Sequence, residues 1–277
     1  MGLGDEIMVT GEARRVHESG DTRPVVVLDR HGRPRWHPLW QANPRIAPPG
    51  ANAAGQRVQT IINGPGCRPY VDYARMAAEF AAVFPRRAFA TKVRDPRLPW
   101  RYTGWRCAPG ELACVDPIAA RGYVVIEPHV KANASPNKAW PWARWQALVH
   151  SLRWARHPYV QLGPRGTRRL AGVAFIETPT FPDAARALSG AAALITTEGG
   201  LHHAAAALGV PAIVIFGGMT SPANTGYAAH VNLFEPMDGA SPCGQRVPCA
   251  HCRAAMARIT VERVAHHLEH VLNARTA

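Results

Sequence analysis

The sequence predicts an α/β protein whose C-terminal half is a Rossmann-like parallel sheet. Three observations carry this. Ala193–Gly218 (ALITTEGGLHHAAAALGVPAIVIFGG) reads as strand, glycine turn, alanine-rich helix and buried-type strand, which is one βαβ unit. Tyr123–Glu127 (YVVIE) reads as a strand, followed by a helix with the stripe Trp145, Leu148, Val149 and Leu152. Two further strands, Pro158–Leu162 and Val173–Ile176, precede a helix that Asp183 is placed to cap and that runs to about Ala192.

Taken in order, the chain opens on a loop, Gly2-x-Gly4-Asp5, and a helix over Glu6–His17. Pro24–Leu28 (PVVVL) is β-prone, and Arg30–Ala54 reads as irregular, with Trp36 and Trp40 packing beneath it in preference to stacking on a sugar. Gln59–Asn63 suits a strand, and Val71–Phe84 a helix striped by Met76, Phe80, Val83 and Phe84. Arg86–Asp116, with Arg94-Asp95-Pro96, Trp100 and Trp105, reads as irregular, and Glu111–Gly122 as an interdomain linker. A polar loop over Pro128–Pro141 leads into the helix, with Pro141 near its first turn. Gly209 suits the end of the helix after the glycine turn, and Pro211 stops it. Ser221–Tyr227 is a loop at a strand end, within reach of a ligand. Thr260 caps a last helix striped by Val261, Val264, Leu268, Val271 and Leu272.

Composition narrows the function. Hydrophobic residues make up 47% of 277 residues, enough for one large domain or two modest ones. The net charge of +13 suits an anionic partner, yet 29 of the 32 basic residues are Arg and they form no dense block, so nucleic acid is disfavoured. No apolar run approaches a membrane span and no leader pattern opens the chain; the expectation is a cytoplasmic protein, with peripheral contact at an inner-membrane surface. Six cysteines in this length do not make a disulfide scaffold. Cys249-x-x-Cys252, with Cys243, has partial metal-ligand spacing and lacks an obvious fourth thiolate, so the three stand as weak candidates against an expectation of no metal.

The chemistry concentrates at the glycine turn. A Gly-Gly pair at a helix start lets a ligand approach backbone N–H groups and the positive helix end, which favours phosphate. Glu198, His202 and His203 sit at the same place, at the end of a parallel strand, where open α/β sheets bind ligands.

The run TTEGGLHHAAAALGVPAIVIFG resembles the nucleotide-sugar signature of glycosyltransferase family nine, the ADP-heptose:lipopolysaccharide heptosyltransferases and their relatives. Glu198 stands where that family usually has Asp, Gly199 where it has Ser or Thr, and Gly200 and His203 match. Lys138-Ala139-Trp140-Pro141 with Trp145 is similar to the family's Lys-x-Trp-Pro-x-x-x-Trp motif, and Gly4-Asp5 to its Gly-Asp loop. The resemblance implies a GT-B fold, two Rossmann-like domains with a shortened N-terminal one: residues 1–115 for the acceptor, 120–277 for the donor. It implies metal-independent inverting transfer of a heptose or related sugar from a nucleotide diphosphate, ADP-heptose foremost, to a lipopolysaccharide-core or other glycan. Asp5 would be the base. Lys138 would hold the diphosphate, Asn133 and Ser135 would contribute from the loop, and Glu198, Gly199, Gly200, His202 and His203 would bind the donor. No cofactor is required beyond the donor, although some protein-modifying relatives carry a cysteine-bound iron, so a structural Fe or Zn stays open. Two departures are plain. No strand precedes Gly4-Asp5, which implies a start set late or a first strand that is absent. No ribose-binding Glu occurs in GPRGTRR after the second strand of the C-terminal half. A catalytically degenerate nucleotide-sugar binder and a protein-modifying heptosyltransferase are the alternatives.

Overall fold

The structure, a computed structural model, describes residues 2–83, 85–86, 107–131, 133–152, 157–217, 219–235, 244, 247–250 and 251–274. The expectations for Phe84, for Arg94-Asp95-Pro96, Trp100 and Trp105, for Gly218 and for Cys243 lie outside the described residues.

The N-terminal half is a long helix, α1 (Leu3–Glu18), then strand β1 (Val25–Leu28), strand β2 (Gln59–Ile62) and helix α2 (Tyr73–Val83). β1 and β2 pair in parallel, Val25 opposite Gln59. Gly2-x-Gly4-Asp5 is therefore not the expected loop: Gly4 and Asp5 lie in the first turn of α1. Asp5 accepts from the Gly2 N–H at 3.2 Å, so an acidic side chain closes the open helix end. Trp40 is fully buried, and its indole N–H donates to the Glu6 carbonyl at 2.8 Å, pinning α1 to the irregular segment. Trp36 is 41% exposed and stands edge-on to Trp40.

The C-terminal half follows the expected alternation. In chain order come β3 (Val124–Glu127), α3 (Trp142–Ser151), β4 (Tyr159–Gly163), β5 (Ala174–Glu177), α4 (Phe181–Ser189), β6 (Ala193–Thr197), α5 (Gly200–Ala207), β7 (Ala212–Phe216), the short α6 (Pro222–Thr225), β8 (Val231–Phe234), α7 (Ala250–Arg258) and α8 (Val261–Asn273). The six strands form one parallel sheet in the order β5-β4-β3-β6-β7-β8. The chain starts in the middle, winds outward through β4 and β5, then crosses back to β6 and winds the other way. β3 and β6 therefore flank the point where connections leave in opposite directions, where such sheets open a ligand crevice.

Two details correct the sequence expectations. Thr180, not Asp183, occupies the cap of α4; Asp183 sits three residues on, and its carboxylate accepts from the Thr180 N–H and hydroxyl at 3.0 and 2.6 Å. The Asp183 N–H donates back to the Thr180 hydroxyl oxygen at 3.4 Å, so the reciprocal pair satisfies two backbone donors where a lone cap satisfies one. β8 and α7 escape the periodicity reading: VNLF is four residues long, and AHCRAAMAR carries no continuous apolar stripe.

One core spans both halves. Ile7, Val9 and Ala13 of α1 belong to the same buried cluster as Val125, Leu194, Ala204, Ala205 and Val214, because α1 lies along α5. A second cluster, under α3, α7 and α8, is anchored by Trp140 and Trp145, whose rings meet edge to face at 5.0 Å.

Candidate active site

A cavity of about 1320 Å³ opens over the C-terminal ends of β3 to β7, and α1, the β2–α2 loop and α2 line its other wall. Glu198 leaves β6 and Gly200 begins α5, so this turn is at the crevice floor. Gly199 is extended, with φ 175° and ψ −165°. The pair is therefore not there for a left-handed backbone, as a glycine turn suggests. Its use at Gly200 is close approach: a Cβ would lie 3.1 Å from the Phe181 ring. Gly4 is tighter. A Cβ there would overlap the His203 imidazole, so α1 carries Asp5 to the crevice because residue 4 has no side chain. Gly4→Ala is expected to cost about 1–3 kcal/mol of stability by overpacking; a melting temperature unchanged from wild type would show that the ring yields freely.

Lys138 and Glu198 face each other across the switch between β3 and β6. The Lys138 ammonium donates to Glu198 Oε2, and Glu198 Oε1 lies 3.4 Å from His203 Nε2. His203 Nδ1 is in turn 2.7 Å from the Tyr227 hydroxyl. Burial alone would raise the Glu198 carboxyl pKa, but Lys138 and His203 outweigh it and hold the group well below the usual carboxylate range. The site thus keeps a fixed anion beside a cation, both at the start of α5. Lys138 ends a single 3-10 turn, Pro136–Lys138, rather than beginning α3. Four hydrogen bonds hold that turn. The Ser135 hydroxyl accepts from the Asn137 N–H. The Asn137 amide donates to the Val247 carbonyl at 2.8 Å and accepts from the Cys249 N–H at 2.9 Å. Trp140 donates to the Ile259 carbonyl at 3.0 Å. The motif tryptophans are anchors for the lysine, buried away from the cavity.

Of the residues singled out from the sequence, Asp5, Lys138, Glu198, Gly199, Gly200 and His203 line this one cavity. Asn133, Ser135 and His202 do not. Asn133 is exposed on the loop, Ser135 is buried as the cap of the 3-10 turn, and His202 is fully buried among Phe216, Tyr227 and His230. Burial holds the His202 imidazole neutral, well below its usual pKa. Cys249 holds the N-cap position of α7, and Cys252 is buried. Among the described residues, the group close enough to share a metal ion is instead Glu198, His202 and His203. An ion there would have to displace the Lys138 ammonium from Glu198, so this set fits an ion pair better than a metal.

The structure adds residues that the sequence did not disclose. Arg68, Tyr70 and Tyr73 come from GPGCRPYVDY, which has no motif, and all three line the cavity. Glu127 ends β3, accepts from the His129 N–H at 2.8 Å, and lies equally close to its ring; burial raises its pKa. Glu127 could have been found as a carboxylate at a parallel-strand end.

Fold and site together define a Rossmann-type α/β protein with a large crevice at the switch point of its sheet. Residues 172–252 match the family model of glycosyltransferase family 9 (heptosyltransferase), a stretch that holds Glu198, Gly199, Gly200 and His203. Among solved structures it is similar to the iron-containing dodecameric glycosyltransferase TibC from enterotoxigenic E. coli, at 16% identity and TM-score 0.66, over 99% of this chain and 74% of that one. It is also similar to the family 9 glycosyl transferase from Veillonella parvula, at 15% identity and TM-score 0.58, over 98% and 94%. A match to E. coli ADP-heptose lipopolysaccharide heptosyltransferase II has 20% identity and TM-score 0.45, and covers 58% of this chain and 49% of that one. The chain thus spans about half the length of that enzyme. No curated protein matches. The shared fold is the GT-B type that the resemblance implied.

Proposed function

We propose that this protein is an inverting glycosyltransferase that moves a heptose or related sugar from a nucleotide diphosphate donor to a glycan. One observation carries the reading: a single cavity holds Asp5 on one wall and the Lys138–Glu198–His203 cluster on the other, at the switch point of the sheet. Residues 1–115 would supply the acceptor wall and residues 120–277 the donor wall. In the step we infer, Asp5 takes the proton of an acceptor hydroxyl as that oxygen bonds to the anomeric carbon. The bond from the anomeric carbon to the diphosphate oxygen breaks, and its electron pair leaves with the diphosphate. Lys138 and the N–H groups at Gly199 and Gly200 meet that charge. Glu198 accepts from sugar hydroxyls, and no metal takes part in the step. ADP-heptose is the first donor to test, and lipopolysaccharide-core sugars, reached at the inner-membrane surface, the first acceptors.

A second reading has its own support. The Asp5 carboxylate already accepts four hydrogen bonds, as a protein that binds nucleotide sugars without turnover would allow. Thermal unfolding across ADP-, GDP-, UDP-, dTDP- and CMP-sugars separates the possibilities. A matching ligand at a hundred times its dissociation constant is expected to add about 2.7 kcal/mol. Stabilisation with release of the nucleoside diphosphate on adding acceptor supports transfer. Stabilisation without release supports the binder, and no shift with any nucleotide sinks both.

A further inference from the structure

A general base needs a free lone pair, and Asp5 has little to offer. Arg68 Nε donates to Asp5 Oδ1 at 2.5 Å and Arg68 Nη2 to Oδ2 at 3.0 Å, a two-pronged pair. The Tyr70 hydroxyl adds a third bond to Oδ1 at 2.9 Å, and the Gly2 N–H a fourth to Oδ2 at 3.2 Å. Asn63 stiffens the arrangement: its amide donates to the Asp5 carbonyl at 3.1 Å, and its oxygen lies 3.2 Å from the Tyr70 hydroxyl. Burial would raise the Asp5 pKa, but Arg68 and Tyr70 outweigh it and lower it. In this state the carboxylate is a poor proton acceptor.

Arg68 itself is differently placed. It lines the cavity, as Asp5 does, so its planar fork can meet a ligand without crossing the protein. Among the described residues, the other lysines and arginines lining the cavity are Arg30, Lys131 and Lys138, and Lys138 is taken by Glu198. Arg68 follows Gly64-Pro65-Gly66, where Gly66 has φ +78°, a left-handed turn that glycine favours. Among the described residues, its remaining prong, Nη1, donates to the Tyr73 hydroxyl at 3.1 Å.

We propose that Arg68 is a transferable latch: at rest it holds Asp5, and it passes to an oxyanion of the incoming substrate, a phosphate or a carboxylate, leaving Asp5 free to take a proton. The exchange keeps Arg68 in a bidentate pair throughout, so the cation is never left bare. It couples the base to the presence of an anionic group in the cavity. The oxyanion comes either from the donor diphosphate or from an acidic or phosphorylated acceptor. The inference rests on Asp5 as the base, but its binding half does not need turnover.

The test is calorimetric titration of three probes, ADP, inorganic pyrophosphate and a phosphorylated monosaccharide, into wild type, Asp5→Asn, Arg68→Gln and Arg68→Lys. Asp5→Asn removes the competitor for Arg68, so at least one probe is expected to bind about tenfold tighter, the equivalent of one charge-assisted hydrogen bond pair. Arg68→Gln should weaken that same probe about tenfold, and Arg68→Lys should restore part of the loss. Tightening of ADP and pyrophosphate assigns the oxyanion to the donor; tightening of the phosphorylated sugar alone assigns it to the acceptor. Unchanged affinity for every probe in Asp5→Asn, in a protein that melts as wild type does, overturns the latch. If transfer is never detected while Asp5→Asn still tightens a probe, the catalytic reading has failed and the anion site stands.

Discussion

Asp5→Asn is expected to lower kcat of sugar transfer by at least about 10²-fold, the usual worth of a positioned general base. The Asn amide is nearly the same size and can still accept from Tyr70, so the start of α1 should keep its place. Nucleotide-induced stabilisation should persist at wild-type strength or above. The measurement is nucleoside diphosphate release at saturating donor and acceptor. A rate within a few fold of wild type would remove Asp5 from the chemistry, whatever its hydrogen bonds. Burst analysis would add the cause: chemistry, not product release, should be the slowed step.

Lys138→Ala is expected to act on binding and on stability together. Glu198 is only 7% exposed, and without the ammonium its remaining side-chain partner is the His203 ring. Removing one partner of a buried pair typically costs about 3–5 kcal/mol, because the other charge stays desolvated. Lys138 is 20% exposed, so the lower end applies. Nucleotide diphosphate affinity should fall tenfold or more, one charge-assisted contact being worth at least about 1.4 kcal/mol. Acid offers a second readout. The folded state depresses the Glu198 and Asp5 carboxyls below their ordinary values of 4.5 and 3.8. Each therefore stabilises the fold above those values, and the gain is lost as pH falls below them. Between pH 7 and pH 3.5 the wild type should lose more of its urea midpoint than Lys138→Ala, whose Glu198 has lost its main cause of depression. Equal losses would mean that the pair does not couple to folding.

The sequence and the structure divide along the range of the forces involved. β6, α5 and β7 were legible because a β-prone run, an alanine helix, Gly209 and Pro211 are neighbours in sequence, and their propensities act locally. The lysine motif was legible for the same reason, since Pro141 and the Trp145 stripe define a helix start within a few residues. The Gly2-x-Gly4-Asp5 turn was misjudged: its glycines suggested a loop, yet Gly4 sits inside α1 where a side chain would overlap His203, which lies about two hundred residues away in sequence. Ser135 and His202 show the converse. Their types suited a ligand, but burial gave one to a cap and the other to an aromatic layer.

The sequence by itself determined that the C-terminal half is a parallel α/β sheet and that a candidate ligand site lies at the Glu198–Gly200 turn. Both follow from local backbone preference and from the direction of strands and helix dipoles. Only the tertiary structure decided what faces that site. Packing of α1 along α5 brings Asp5 over the crevice, and the β2–α2 loop brings Arg68 onto it. Such contacts depend on which surfaces pack once the core closes: the Gly4-Asp5 motif named Asp5, but no period or motif marks Arg68.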